Sequence, residues 1–515
     1  MKKRILVLLL AALILLGGCG NVDDSVQDQI YDELSDYYQT EQEDAPAPLT
    51  SFVLPCLQGQ TLDPITCLDG AQQTLGSLLY EGLFALDPQF VPQPMLAKSY
   101  TYDPETFTYI ITLRSGVVFS DNTPLTAQDV VDTLQRARHS ERYEARLAEV
   151  ISLTAQGNSV LIRLKSDNRA FVARLDIPIV KSGTEGYPVP VGTGPYRYQT
   201  DTGGITYLKA RSKWWQEEKL PLERIELLQV KDDDTMAYAF YAREVQLITR
   251  NLTTAGVTGV TGTSGSGNFT DADTTIMQYI GINTNRKPLD DAAVRRALGL
   301  GIDRVSCVNA FLMGHGIAAQ FPVSPASPLY PANAEIAYSP DNYAQALEKA
   351  GLNTGETQTL TLLVNDDNAY KVTMAQKIAA DLSLYDLAIS VTVLPWDDYR
   401  AALRRGQYDL YLGECKMTAD WDMSPFLAHN GALNYAGFFD KSTSDFLQRY
   451  LIADEDHRQS SMQYLCQKVE NQAPILPICF KRTSVMLTAG AVDAITPTTA
   501  NPFYDLAHWQ IDLKK

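Results

Sequence analysis

Two spacings of apolar residues alternate along the first half of the chain. Every second residue of 107–113 is apolar (Phe107, Tyr109, Ile111, Leu113), which predicts a half-buried strand. Thr126 and Asp129 form a capping-box pattern before apolar positions at helical spacing, Val130, Leu134 and Ala137. The same reasoning predicts strands at 159–165 and within 221–230, and helices at 71–83 and 236–245.

The stretch 276–304 predicts that the chain passes there from one lobe to another. Its apolar start, 276–280, indicates a strand, and the polar segment 283–288 ends that strand. Asp290 and Asp291 are N-cap candidates for a helix whose apolar positions are Val294, Ala297, Leu298 and Ile302. The order of elements differs before and after this stretch, as expected if two bodies meet here.

Strand and helix patterns alternate after residue 304. Strands are predicted at 359–364, 389–393, 408–412 and 474–478, and helices at 370–384, 396–405 and 444–469. The alternation of strands and helices from 359 to 412 predicts a parallel, doubly wound sheet. From residue 485 the chain is expected to return to the first lobe.

The N-terminus has the pattern of a bacterial lipoprotein signal. Lys2, Lys3 and Arg4 precede twelve apolar residues, too few to span a bilayer, which needs about 20 residues. The sequence Leu-Gly-Gly-Cys at 16–19 resembles a lipobox, which predicts cleavage before Cys19 and acylation of its sulfur. An ordinary secretory signal is the alternative.

The charge distribution separates a tether from a folded body. Of the net charge of −18, the three basic residues at 2–4 contribute +3 and the stretch 20–44 contributes −9, which leaves −12 for the remainder. The stretch 20–48 is therefore predicted to be an acidic, disordered tether. A body with this charge is not expected to bind nucleic acid.

The sequence offers no catalytic constellation. The five histidines are isolated and show no metal-ligand spacing: His139, His315, His429, His457 and His508. The carboxylates show no informative pairing, although sequence alone does not exclude a glycosidase. A disulfide between Cys56 and Cys67 would suit an extracytoplasmic setting. We expect no catalytic residue, no metal site and no cofactor.

Several motifs resemble those of the family 5 extracytoplasmic solute-binding proteins of peptide and nickel ABC importers. They are YEGL at 80–83, LRSGVVFSDNTPLTAQDVV at 113–131, GTGPY at 192–196, and VRRAL with IDR inside 294–304. Asn122 stands where the family usually has glycine, and asparagine tolerates the left-handed turn expected there. The resemblance extends over nearly all of 54–480.

The resemblance implies an α/β protein with the two-lobed type II periplasmic-binding-protein fold and a small α/β domain inserted in the first lobe. The predicted boundaries are 1–19 for the signal peptide, 20–48 for the tether, 49–70, 177–282 and 488–515 for the first lobe, 71–176 for the inserted subdomain and 283–487 for the second lobe.

The loop after the predicted strand 408–412 carries the candidate ligand-binding residues, because ligands of open α/β sheets bind beyond the carboxyl ends of strands. Asp420 matches an aspartate that, in peptide-binding members of the family, pairs with the peptide's α-ammonium group. Trp421 is expected either to wall the pocket or to pack beneath it. Lys416, Arg404 and Arg405 are weaker candidates for a ligand carboxylate, since such residues usually face solvent.

The resemblance implies a lipid-anchored, extracytoplasmic and monomeric protein that captures peptides between two closing lobes. It would deliver them to a membrane permease driven by an ATPase. Within the binding class, the alternatives are a nickel chelate, an oligosaccharide or another small solute. The alternative from another class is a lipid-anchored extracellular hydrolase.

Overall fold

The computed structural model describes residues 49–250, 267–332, 334–488, 491–492, 495–511 and 513. The predicted signal peptide, Cys19 and the predicted tether lie outside the described residues. The strands are β1 Val53–Leu57, β2 Phe84–Leu86, β3 Pro92–Pro94, β4 Ala97–Asp103, β5 Thr108–Leu113, β6 Val150–Gln156, β7 Ser159–Leu164, β8 Tyr196–Thr200, β9 Thr206–Ala210, β10 Arg224–Val230, β11 Leu247–Arg250, β12 Gly267–Ile282, β13 Gly316–Ala318, β14 Gln358–Asn365, β15 Leu387–Leu394, β16 Leu410–Lys416 and β17 Ile475–Thr488.

The helices are α1 Gly70–Leu79, α2 Ala127–Ala137, α3 Asp233–Tyr241, α4 Ala292–Gly301, α5 Arg304–Phe311, α6 Pro340–Lys349, α7 Ala369–Leu382, α8 Trp396–Arg404, α9 Ser424–Leu427, α10 Lys441–Leu451 and α11 Glu455–Gln472. Short 3₁₀ turns occupy Phe171–Arg174 and Leu506–His508. Over these ranges, no helix combines the length and the apolar composition that a membrane crossing requires.

The first lobe is built on a sheet with the strand order β1-β10-β9-β8. β1 and β10 are parallel, and β9 is antiparallel to both of its neighbours. The core packs Leu54 of β1 and Ile225 of β10 against Leu75 of α1 and against Trp509. Residues from both ends of the described chain therefore complete this lobe.

Helix α1 packs in the first lobe, although the inserted subdomain was predicted to begin at residue 71. Its buried residues Leu75, Leu78 and Leu79 belong to the core of the first lobe, whereas the core of the inserted subdomain takes in Leu83 and Phe84. The apolar stripe of α1 predicts a buried face but does not identify the body that it faces. In the structure, the subdomain's part of the chain follows this helix.

The inserted subdomain is an antiparallel sheet of order β4-β5-β7-β6 covered by α2. Tyr109, Ile111 and Leu113 are buried, which confirms the predicted inner face of β5. The capping box of Thr126 and Asp129 begins α2 as predicted, with each side chain bonded to the other's backbone N–H. The expected left-handed residue in the preceding turn is also present, since Asn122 has a φ of 67°.

The second lobe contains the sheet of order β11-β17-β12-β16-β14-β15, with β13 paired to β17. Only β15, β14 and β16 are parallel, because β12 runs antiparallel to both β16 and β17. The three strands predicted to be parallel, at 359–364, 389–393 and 408–412, are parallel, and the sheet becomes mixed where β12 and β17 join it. Helices α4, α6 and α7 cover one face, and α8 to α11 cover the other.

The single helix predicted at 444–469 is two helices. α10 ends at Leu451, and α11 begins after Asp454, whose side chain accepts a hydrogen bond from the backbone N–H of His457 at 3.0 Å. An aspartate that caps in this way starts a new helix, while the preceding helix has its own C-cap at Ile452. The apolar spacing on either side of this point hides the break.

The long strands β12 and β17 join the two lobes. Val485 and Leu487 of β17 pack in the first-lobe core, whereas Ile478 of the same strand packs in the second lobe. The two strands pair along most of their length, with a register shift between Asp273 and Met277 of β12. This irregular point lies between the two cores.

Cys56 and Cys67 of the first lobe are both free thiols.

Candidate functional site

A cavity of about 820 Å³ lies where the first lobe, the inserted subdomain and the second lobe meet. Each of the three bodies contributes ionisable side chains to its wall. They include Glu81 after α1, Arg142, Arg146 and Asp176 of the subdomain, and Lys416 and Asp422 at the end of β16 and in the loop after it; the wall also contains the carboxylates Asp87, Glu218, Asp273 and Asp505. A solute in this cavity would contact both lobes at once.

Close backbone packing positions Glu81 at the cavity. Gly194 donates its N–H to the carbonyl of Leu79 at 2.9 Å, and a Cβ on Gly194 would lie 2.5 Å from the carbonyl carbon of Leu79. The glycines of the GTGPY turn are therefore required by this contact. The Glu81 carboxylate accepts hydrogen bonds from the indole N–H of Trp214 at 3.0 Å and of Trp215 at 2.8 Å. Burial raises the pKa of Glu81 above its ordinary value.

Three cationic side chains share one part of the cavity wall. Burial lowers the pKa of Lys416 to about 8, and repulsion from Arg146 and Arg142 adds to the shift. Burial also lowers the pKa of Arg146 to about 10, although this guanidinium pairs with Asp176. Arg142 donates to the carbonyls of Pro64 at 3.1 Å and Cys67 at 3.2 Å.

The ammonium group of Lys416 differs from its two neighbours, because Arg146 pairs with Asp176 and Arg142 binds two backbone carbonyls, whereas Lys416 has no such partner among the described residues. Its side chain is exposed and lines the cavity, and in the described part of the chain no carboxylate forms an ion pair with it. Arg142 and Arg146 repel this ammonium group, and an anionic ligand group would offset that repulsion through a charge-assisted hydrogen bond. Lys416 is therefore suited to bind a carboxylate.

Asp420 lies in an ion-pair cluster around Arg174. Arg174 donates from Nε to Asp420 Oδ2 at 2.7 Å and from Nη2 to Asp422 Oδ2 at 2.9 Å, and its Nη1 lies 3.6 Å from Glu149 Oε1. Asn168 Nδ2 donates to the same Oδ2 of Asp420 at 3.1 Å. Burial alone would lower the pKa of Arg174, but the three carboxylates outweigh it and raise this pKa.

Comparison with known proteins assigns the chain to a family. The model described as bacterial extracellular solute-binding proteins, family 5, matches residues 91–435. The chain belongs to this family. The resemblance read from the sequence motifs is thereby confirmed, and the family consists of substrate-binding proteins rather than enzymes.

The family 5 protein is similar to curated relatives and to solved structures over most of its length. The glutathione-binding protein GsiB of Escherichia coli (strain K12) is 28% identical over 461 residues, which cover 82% of this chain and 87% of GsiB. The oligopeptide-binding protein AppA from Bacillus subtilis, solved with a nonapeptide, gives a TM-score of 0.60 at 18% identity over 90% of this chain and 99% of AppA.

A nickel ABC transporter structure from Bacillus halodurans gives a TM-score of 0.75 at 19% identity, over 88% of this chain and 98% of that chain. These likenesses confirm the predicted type II periplasmic-binding-protein fold. The family 5 protein contains, within its described ranges, no group of three or more His, Cys, Asp or Glu side chains arranged to hold a metal ion.

The structure brings only some of the predicted ligand residues of the family 5 protein to the cavity. Lys416 lines it, whereas Asp420 and Trp421 lie just outside the lining. Trp421 is buried and packs edge-to-face on Phe90 at 5.3 Å and on Phe480 at 5.7 Å. Of the two positions predicted for Trp421, the structure shows the packed one.

Arg404 and Arg405 lie away from the cavity of the family 5 protein. Arg404 occupies the last turn of α8 and Arg405 follows it; both are exposed. Arg405 donates from Nε to Gln407 Oε1 at 2.8 Å. They are placed like solvated helix-end cations, which favour the negative end of the helix dipole.

Sequence reasoning missed the cations that the inserted subdomain contributes. Arg142, Arg146 and Arg174 are far from Lys416 and Asp420 in sequence, and the Arg174–Asp420 hydrogen bond spans 246 residues. No local spacing connects such positions. Glu81 stands within the recognised YEGL motif, but the motif does not state that its carboxylate meets two indoles.

Proposed function

We propose that this family 5 protein is the solute-binding component of an ABC importer and that its solute is a peptide or peptide-like molecule held by its charged ends. The observation that supports this most directly is Lys416, a cavity-lining ammonium group without an internal partner. Arg142 and Arg146 make the surroundings more positive. A ligand carboxylate would form a charge-assisted hydrogen bond to Lys416 and weaken the repulsion among the three cations.

The acidic residues of the cluster suit the opposite end of such a solute. Asp420, Asp422 and Glu149 outnumber Arg174, and among the described residues Asp420 Oδ1 has no hydrogen-bond partner. Asp422 reaches the cavity wall. We retain Asp420 as the proposed partner of a ligand ammonium group; its side chain is buried behind the cavity wall, so the loop would have to move to expose Oδ1.

The relatives support the class of solute. GsiB is named for glutathione, and AppA was solved with a nonapeptide. Both ligands are peptides, with carboxylate and ammonium groups. A nickel complex of a carboxylate chelator is the second candidate, because its carboxylates would also meet the positive charge of Lys416.

Removal of the ligand carboxylate or of Lys416 is expected to weaken binding. We expect C-terminally amidated peptides to bind the chain 20–515 more weakly than free peptides, and Lys416→Met to bind both forms equally weakly. Loss of one charge-assisted hydrogen bond corresponds to about 1.5–3 kcal/mol, or a roughly 10- to 100-fold lower affinity. Calorimetry with glutathione and a set of tripeptides measures this, after mass spectrometry of the solutes that co-purify.

The matched control is Lys377→Met. Lys377 pairs with Asp381 on the exposed side of α7 and does not line the cavity. Its affinities should equal those of the wild type. Equal binding of free and amidated peptides by the wild type would remove Lys416 from the site, and a co-purified nickel chelate without any peptide would favour the second candidate.

We also propose that the protein is a monomer held at the outer face of the cell membrane by a lipid on Cys19, from where it delivers solute to a permease. Cys19→Ala is expected to release the protein from membranes, because no acyl chain would then anchor it. Fractionation of cells, followed by detection of the chain in membrane and soluble fractions, measures this. An unchanged membrane fraction would contradict the lipid anchor.

A further inference from the structure

Arg174 belongs to the inserted subdomain, but it forms ion pairs with two aspartates of the second lobe. The turn Phe171–Arg174 is fixed in the subdomain core through Phe171 and Val172. From there the guanidinium reaches the loop after β16, where it binds Asp420 and Asp422. Arg174 is 3% exposed, and the Asp420 side chain is fully buried. This is a buried ion pair between bodies that flank the cavity.

The two aspartates have no equivalent cation in their own lobe. Among the described residues, Arg174 is the partner that forms ion pairs with Asp420 and with Asp422. Separation of the subdomain from the second lobe would therefore break both contacts together. An unpaired charge that stays buried is strongly unfavourable. If the ion pairs break, the Arg174 guanidinium and the two carboxylates therefore have to become hydrated.

Backbone contacts on both sides of Arg174 join the same two bodies. The N–H of Arg169 donates to the carbonyl of Leu451 at the end of α10 at 2.9 Å. Arg458 of α11 donates from Nη2 to the carbonyl of Arg169 at 2.9 Å. The Arg174 ion pairs are thus one part of a continuous interface rather than an isolated contact.

We propose that Arg174 is a positioning residue that holds the inserted subdomain against the second lobe without a solute. Both charges of this link come from the chain itself, so a closed arrangement does not depend on a ligand cation. A solute then adds to a closure that the protein already favours, as a shift in an existing equilibrium.

Small-angle scattering of the solute-free chain 20–515, stripped by unfolding and refolding, tests this proposal. Arg174→Met leaves the acids uncompensated and is expected to increase the radius of gyration relative to the wild type. Asp420→Asn removes one acid from the other side of the link and is expected to shift it in the same direction. Arg174→Lys keeps the charge but loses the fork that spans two carboxylates, so an intermediate value is expected.

Arg224→Met is the matched control, because Arg224 pairs with Asp201 in the first lobe and its side chain is 40% exposed. Its scattering should equal that of the wild type. A wild-type profile for folded Arg174→Met, as judged by circular dichroism, would overturn the proposal. If Arg174→Met does not fold, a wild-type profile for Asp420→Asn would overturn it instead. These measurements contain no solute, so they are independent of the proposed ligand class.

Discussion

Replacing Gly194 by alanine is expected to lower the free energy of unfolding by about 3 kcal/mol, the upper part of the usual range for an inserted methyl group. The new Cβ would lie 2.6 Å from the carbonyl oxygen of Leu78 and 2.8 Å from that of Leu79. These are backbone atoms, so no side chain can rotate to make room. Urea denaturation followed by circular dichroism measures the change.

Gly186→Ala is the control for this substitution. Gly186 lies in the same connecting segment, and a Cβ there would meet no atom within 4 Å. Its effect should stay within about 0.5 kcal/mol. Because Gly194 packs on the residues just before Glu81, the Gly194 variant should also bind solute more weakly under conditions where it is still folded. Equal stability of the two variants would contradict the close packing described for this turn.

Binding of a carboxylate-bearing solute is expected to weaken as the pH rises through about 8. Lys416 carries its proton, and hence its positive charge, below that pKa and loses it above. The ligand carboxylate stays ionised throughout, so the attraction disappears with the proton on Lys416. At pH 9.5 only about 3% of such a group remains protonated, which allows a roughly 30-fold loss of affinity if binding requires the charged form.

Calorimetry between pH 6.5 and pH 9.5 measures this dependence, and proton uptake on binding near pH 8 is a second sign of it. The burial-lowered pKa of Arg146, about 10, places its own titration above most of this range. Lys416→Met should remove the dependence. An affinity that stays constant over the range in the wild type would show that Lys416 does not bind the ligand's charge.

Local sequence patterns predicted the helices and strands of this fold better than they predicted which elements pack together. The capping box of α2 and the inner face of β5 depend on neighbouring residues and are present in the structure. The break at Asp454 and the packing of α1 against the first lobe depend on contacts that the amphipathic spacing does not contain. The antiparallel pairing of β12 with β16 is likewise a contact between strands far apart in sequence.

In the candidate site, too, local sequence indicated some residues and only the tertiary structure showed the others. Lys416 follows from its place at the carboxyl end of a strand, and the structure has it at the cavity. Asp420 was selected by resemblance alone, and its partner Arg174 stands in a different body of the molecule. No pattern in 160–180 indicates that the side chain of Arg174 will form its ion pairs in the second lobe and not in its own subdomain. Such pairs require the tertiary structure.

The composition of the first-lobe core has a consequence for how the protein is made. Phe52 and Leu54 near the start of the described chain share this core with Val485, Phe503 and Trp509 near its end. As a chain emerges from its N-terminus onward, the second lobe therefore has all its core residues before the first lobe does. The first lobe cannot complete its core until nearly the whole polypeptide has emerged, and until then its apolar surface is accessible to chaperones and proteases.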